Sequence, residues 1–154
     1  MQEDPFWSGY LLNDPCPTVH LAVFNPPYLE YILDGRKTVE SRFSVVRCAP
    51  FEQVVAGDVM LLKTAAGPIT GLCVIDRVWF YSLEPDTWDE IRQTFTDMLC
   101  AHDPDFWKSR ERARYASLMR VGRPTRLEPF DCAKRDRRGW VVMSDSTSQP
   151  ELAL

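Results

Sequence analysis

Residues 36–42 set an ammonium, a carboxylate and a guanidinium within a few positions of one another: Lys37, Glu40 and Arg42, with Arg36 and Thr38 beside them. Lysine is a compact cation with three donors, suited to a phosphate or a carbonyl oxygen. Arginine is a planar fork that matches phosphate or carboxylate. Glutamate accepts hydrogen bonds and can take an exocyclic amine, such as that of cytosine. Cations beside one acceptor suit a nucleotide better than a lipid or an apolar metabolite. On an open face the same trio would be a solvated ion-pair network, worth little to stability. Which of the two applies depends on the elements around it.

"TVHLAVF" (18–24) is β-branched and apolar and predicts a central strand. "NPPYLEYILDG" follows as a short helix, with Asn25 as cap, Pro26 and Pro27 in the first turn and Gly35 at the left-handed stop. "TVESRF" (38–43) then alternates as a strand. Val39 and Phe43 point one way; Thr38, Glu40 and Arg42 point the other. Arg36 and Lys37 fall at the helix–strand junction. Tyr31, one turn before Gly35, borders the same opening.

Further strands are expected from the Gly57-Asp58 turn through residue 64 and over 69–83, the latter bent or bulged. Helices are expected over 86–99, with a Thr87/Glu90 capping box and a Trp88, Ile91, Phe95, Met98 stripe, and over 103–122. "TRLEPFDCA" (125–133) and "GWVVM" (139–143) predict a closing hairpin with "KRDRR" at its tip. Residues 1–17 predict an irregular lead-in partly packed on the body, 18–143 one domain, and 144–154 a disordered tail. Strands that are not regularly interleaved with helices give an α+β class, and about six strands with short turns can close into a small barrel.

The 154 residues suffice for one domain with a core, and 45% hydrophobic with 26% charged residues describe a globular chain. No apolar run is long enough to span a bilayer, and "MQEDPFW" lacks the pattern of a signal peptide. Cys16, Cys48, Cys73, Cys100 and Cys132 are scattered and never in C-x-x-C spacing, the pattern of reduced thiols in a cytoplasmic protein. With His20 and His102 as the two histidines, neither a metal centre nor a cofactor is expected. His20, in an apolar strand, is expected as a core residue. The net charge of −4 argues against a strongly basic nucleic-acid binder, yet residues 107–138 hold 11 Lys+Arg against 4 Asp+Glu. That segment is either a basic patch or a solvated face. The G-x-S-x-G, P-loop, H-E-x-x-H and G-x-G-x-x-G patterns are absent from the sequence.

Gly35-Arg36-Lys37-Thr38-Val39-Glu40-Ser41-Arg42 resembles the G-x-K-x-x-E-x-R signature of the ASCH family, a relative of PUA-like RNA-binding barrels. The preceding short helix and the later Gly57-Asp58 turn are similar to that family as well. The resemblance implies a PUA-like β-barrel with a cleft lined by Lys37, Glu40 and Arg42. It also implies a ligand of the RNA or nucleotide class, held by Arg36, Lys37, Thr38, Glu40 and Arg42. Some members are hydrolases. If this cleft is catalytic, Lys37, Glu40 and Tyr31 are the candidates, for cleavage of RNA with help from Ser117, or for removal of an N4-acyl group from cytidine. The amidohydrolase branch carries a threonine three positions after its lysine; Glu40 stands there in this chain. A neighbouring carboxylate is expected to raise the Lys37 pKa and keep it a charged clamp.

Overall fold

A computed structural model describes residues 4–132 and 138–144. The chain runs α1 (Pro5–Leu11), β1 (Val19–Phe24), α2 (Tyr28–Leu33), β2 (Val39–Ser44), β3 (Val59–Thr64) and β4 (Ile69–Ser82). It continues through α3 (Pro85–Leu99), α4 (Pro104–Lys108), β5 (Tyr115–Phe130) and β6 (Trp140–Ser144). The six strands form one sheet in the order β2-β5-β4-β3-β1-β6, curled into a half-barrel. β1 and β3 are parallel and the other neighbours antiparallel. The class is therefore α+β, as expected. No helix of the described residues is long and apolar enough to cross a membrane.

Burial explains the layout. α2 lays Leu29 and Ile32 on a core of Ala22, Met60, Leu62 and Ile75. α3 lays Ile91, Phe95 and Leu99 against Val39, Ala116 and Leu118, which covers one face of β2. Each such side chain stabilises by about 1.5–3 kcal/mol when fully buried. Met98, expected in the stripe, is 38% exposed, and Leu99 takes its place. No side chain caps α3, so the expected Thr87/Glu90 box is not formed; Glu84 occupies the N-cap. At α2 the N-cap is Pro27 rather than Asn25.

Three sequence-based expectations are corrected. The lead-in is not irregular. Asp4 caps α1 by accepting from the Phe6 N–H at 3.0 Å, and Trp7 is buried and donates to Thr125 Oγ1 at 2.9 Å. The helix expected over 103–122 ends at Lys108, and Tyr115 onward is strand. Ala116, Ser117, Leu118 and Met119 are all buried, because β5 lies between β2 and β4 and is covered on both faces. A strand of that kind shows a continuous apolar run, which periodicity does not separate from a buried helix. Asp103 does cap α4, accepting from the Asp105 N–H at 2.9 Å. Third, β6 does not form a hairpin with β5 but pairs with β1. Of the "KRDRR" tip only Arg138 falls within the described residues, and the expected tail lies outside them apart from Ser144, which ends β6.

The long β4–β5 ribbon shifts register three times. One shift falls between Leu72 and Val74, opposite Gly122, Arg123 and Pro124, where Arg123 has φ of 53°. An extra residue of this kind bends a strand and lets the ribbon serve both sides of the half-barrel. Near the next bend the backbones crowd. A Cβ on Gly71 would stand 2.9 Å from the Thr125 carbonyl oxygen and 2.7 Å from a Leu33 methyl. Gly71→Ala is expected to destabilise by about 1–3 kcal/mol, the cost of overpacking. Thermal unfolding checks this: an unchanged melting temperature would contradict the close approach.

Candidate functional site

The site begins where α2 stops. Gly35 takes φ of 87°, a conformation that glycine adopts without steric cost, and turns the chain into β2. The Lys37 N–H donates back to the Tyr31 carbonyl at 2.9 Å. This aims the Lys37 side chain inward, where only 1% of the residue is exposed. Its Nζ donates to the Leu99 carbonyl at 3.0 Å, at the C-terminal end of α3, where the helix dipole favours a cation. It also lies 3.3 Å from Glu40 Oε1 and 5.3 Å from the centre of the Tyr28 ring.

Glu40 is buried as well, and its second oxygen accepts from Arg42 Nε at 2.8 Å. Arg42 goes further. Its two terminal nitrogens donate to the Gly139 and Val23 carbonyls, both at 3.0 Å. Its guanidinium lies over Phe24 at 4.9 Å and Trp140 at 5.4 Å. The three charges thus form a chain, Lys37–Glu40–Arg42, largely withdrawn from water. This is not the open ion-pair network that the residue types also allowed.

The chain floors a cavity of about 210 Å³, walled by Phe24, Tyr28, Phe43 and Phe106, with Asn25 and Arg110 at its border. Arg110 lies 3.8 Å over the Phe106 ring and donates to the Phe106 carbonyl at 2.8 Å. Three cations and one carboxylate leave the hollow with an excess of positive charge.

Burial pulls the Lys37 pKa below its ordinary value, outweighing the opposing pull of Glu40. The expectation that the carboxylate would set the direction is therefore corrected: desolvation is the larger effect. For Glu40 burial acts upward, but Arg42 and Lys37 together overcome it and hold the carboxyl below the usual range. Burial also lowers the Arg110 pKa.

Of the sequence-based candidates, Lys37, Glu40 and Arg42 meet at the cavity. Arg36 turns outward to Asp34 at 2.7 Å and lies 4.4 Å over Tyr31. Thr38 is exposed, and its backbone bonds the Met98 carbonyl and the Val121 N–H. Tyr31 packs edge-on against Tyr28, one ring away from the cavity wall. Ser117 is buried on β5, opposite Arg42 in register. Tyr28 and Phe106 were not singled out as site residues from the sequence, and Arg110 entered only as part of the basic segment. The one local signal was Phe106 and Trp107 running into Lys108 and Arg110. Nor is the basic segment one patch: Arg123 pairs with Asp4 and Arg126 with Glu30, away from the cavity.

A second polar chain braces the floor. Trp140 Nε1 donates to His20 Nδ1 at 3.0 Å, so His20 Nε2 carries the proton and meets Asp58 at 2.8 Å. Asp58 also accepts from the Val55 N–H at 3.0 Å and thereby shapes the Gly57-Asp58 turn. Trp140 is the ring under Arg42, so β6, β1 and β3 all contribute to its seat.

The half-barrel has the fold of solved ASCH structures. ASCH from Zymomonas mobilis superposes with a TM-score of 0.65 at 10% identity, covering 88% of this chain and 94% of that one. A mutant form of that protein gives 0.65 and 10%, over 88% and 97%. Protein EF3133 from Enterococcus faecalis V583 gives 0.51 at 12% identity, over 85% and 95%. No family model matches the sequence, and no curated protein matches it.

The direction of the Glu40 shift sets a pH dependence. A carboxyl whose folded pKa is depressed adds stability above its unfolded value, and that contribution is lost as the pH falls through the folded value. Glu40→Gln keeps the shape and removes the charge. It is expected to cost about 3 kcal/mol at pH 7, as when one partner of a buried pair is removed. The deficit should begin to shrink once the pH falls below the ordinary glutamate value of about 4.3, and should vanish as it passes the lower folded value, where the native carboxyl gains its proton. Urea denaturation of both proteins across this range reads the difference; an equal deficit at every pH would contradict the charge pairing.

Proposed function

We propose that the protein binds single-stranded RNA and seats one nucleotide in the cavity above Lys37, Glu40 and Arg42. The observation that carries this reading is the pairing of that buried charge chain with aromatic walls in one hollow. Aromatic faces stack bases, cations hold phosphate, and a carboxylate reads an exocyclic amine. Tyr28 is the stacking face nearest Lys37, and Arg110 is the cation best placed to meet phosphate at the rim. The cavity, about 210 Å³, is smaller than the roughly 300–1,000 Å³ of pockets that enclose whole ligands, which favours one unit of a polymer. Solved ASCH structures with the same fold support the PUA-like class.

Fluorescence anisotropy with a labelled single-stranded RNA tests the reading. Binding should weaken steeply with salt. Arg110→Ala, which removes a half-buried cation at the rim, is expected to weaken binding by about tenfold while the melting temperature stays near that of the parent. Lys37→Ala should abolish binding, with circular dichroism to confirm that the variant folds. RNA affinity that neither substitution changes would overturn the assignment. The same mixtures run on a denaturing gel report cleavage: products lost in Lys37→Ala would make the cavity that of a ribonuclease. Release of free cytidine from N4-acetylcytidine would make it an amidohydrolase.

A further inference from the structure

Beyond the aromatic wall of the first cavity lies a second hollow of about 270 Å³, lined by Trp88, Arg92, Pro104, Trp107, Lys108 and Glu111. The two hollows share an aromatic wall. Phe43, in the wall of the first, stacks on Trp88 of the second at 5.3 Å and an interplanar angle of 11°. Phe106, also in the first wall, meets Trp107 edge-on at 5.0 Å. Lys108 lines the second hollow and Arg110, two residues on, lines the first. A run of positive charge therefore passes from one to the other along the end of α4.

The second hollow has the same kinds of group as the first, with two cations in place of three, one carboxylate and aromatic rings. Arg92 and Lys108 are exposed, and neither is in an ion pair among the described residues. Arg92 lies 5.5 Å over the Trp107 ring, so the indole is already set beside a cation. Charge complementarity and the shared wall point to one occupant, the same polyanion that enters the first cavity.

We propose that this second hollow seats the nucleotide adjoining the one held above Lys37, so that the ligand is an RNA strand at least two nucleotides long. The proposal rests on the RNA-binding reading of the first cavity. Trp88, which is half-buried, offers the platform for the second base, and the buried Trp107 backs it edge-on. Lys108 and Arg110 flank the phosphate that joins the two units, and Arg92 and Glu111 border the far side.

Isothermal titration with cytidine 5′-monophosphate, dicytidylate and tetracytidylate tests it. Dicytidylate should bind at least about tenfold tighter than the mononucleotide, the scale of one stacked base. Lys108→Glu, an exposed change that leaves the core untouched, should erase that gain and leave mononucleotide affinity as it was. For Lys108→Ala the slope of log K against log salt for dicytidylate should fall by roughly one. Dicytidylate binding no tighter than the mononucleotide, or Lys108→Glu weakening both alike, would overturn the second seat. In that event mononucleotide binding that depends on Arg110 still upholds the first cavity. Absence of binding by all three probes removes the first reading, and this one with it.

Discussion

Glu40 is held between two cations, and most of the architecture serves to hold it there. A carboxylate withdrawn from water is expensive unless it is paired and hydrogen-bonded, and Lys37 and Arg42 supply the pairing from either side. Each partner is itself tied to backbone carbonyls on distant elements: Leu99 at the end of α3, Val23 on β1, and Gly139 before β6. Moving any one of these elements would leave a buried charge without its partner. The charge chain therefore fixes the relative placement of a helix end and three strands, and the cavity above it inherits that geometry.

Aromatic packing completes what the charges begin. Phe43 is flanked by Trp88, Phe106 and Trp107, with ring centres 5.3–6.4 Å apart. Such clusters are stiff, because each ring has few rotamers and every neighbour limits it. The wall keeps its position whether or not anything lies against it, and a preorganised wall spares a ligand the cost of ordering it. The polar floor and the aromatic sides belong to different parts of the chain. They meet only because β2 runs between α3 and the open side of the half-barrel.

Local signals carried part of this arrangement. The α2 stop at Gly35, the alternation in β2, the Gly57-Asp58 turn and the bent β4 could all be read from short windows. So could the shared face of Glu40 and Arg42, two apart on a strand; Lys37, three before Glu40, joins them because the turn at Gly35 aims it inward. What local reading missed was decided by distant contacts. Residues 115–122 resemble a helix until β2 and β4 enclose them. By sequence order β6 follows β5 as a hairpin would, but β1 offers it an edge. Arg36 and Thr38 have the right chemistry for the site, but a salt bridge to Asp34 and backbone bonds to Met98 and Val121 hold them elsewhere. Tyr28, Phe106 and Arg110 join the site through the tertiary fold, and no spacing rule links them to the signature residues.

The two margins of the sheet are β2 and β6, and a sheet that stops short of closing leaves backbone groups exposed to any neighbour with a strand to add. Arg42 reaches from the first margin to the end of the β1–β6 ladder and occupies the carbonyls of Val23 and Gly139. That one side chain ties β2 to the end of the ladder across the gap that the open sheet leaves. Loss of this one side chain would take a donor from both carbonyls, leave Glu40 with Lys37 as its one cationic partner among the described residues, and untie the two margins from each other.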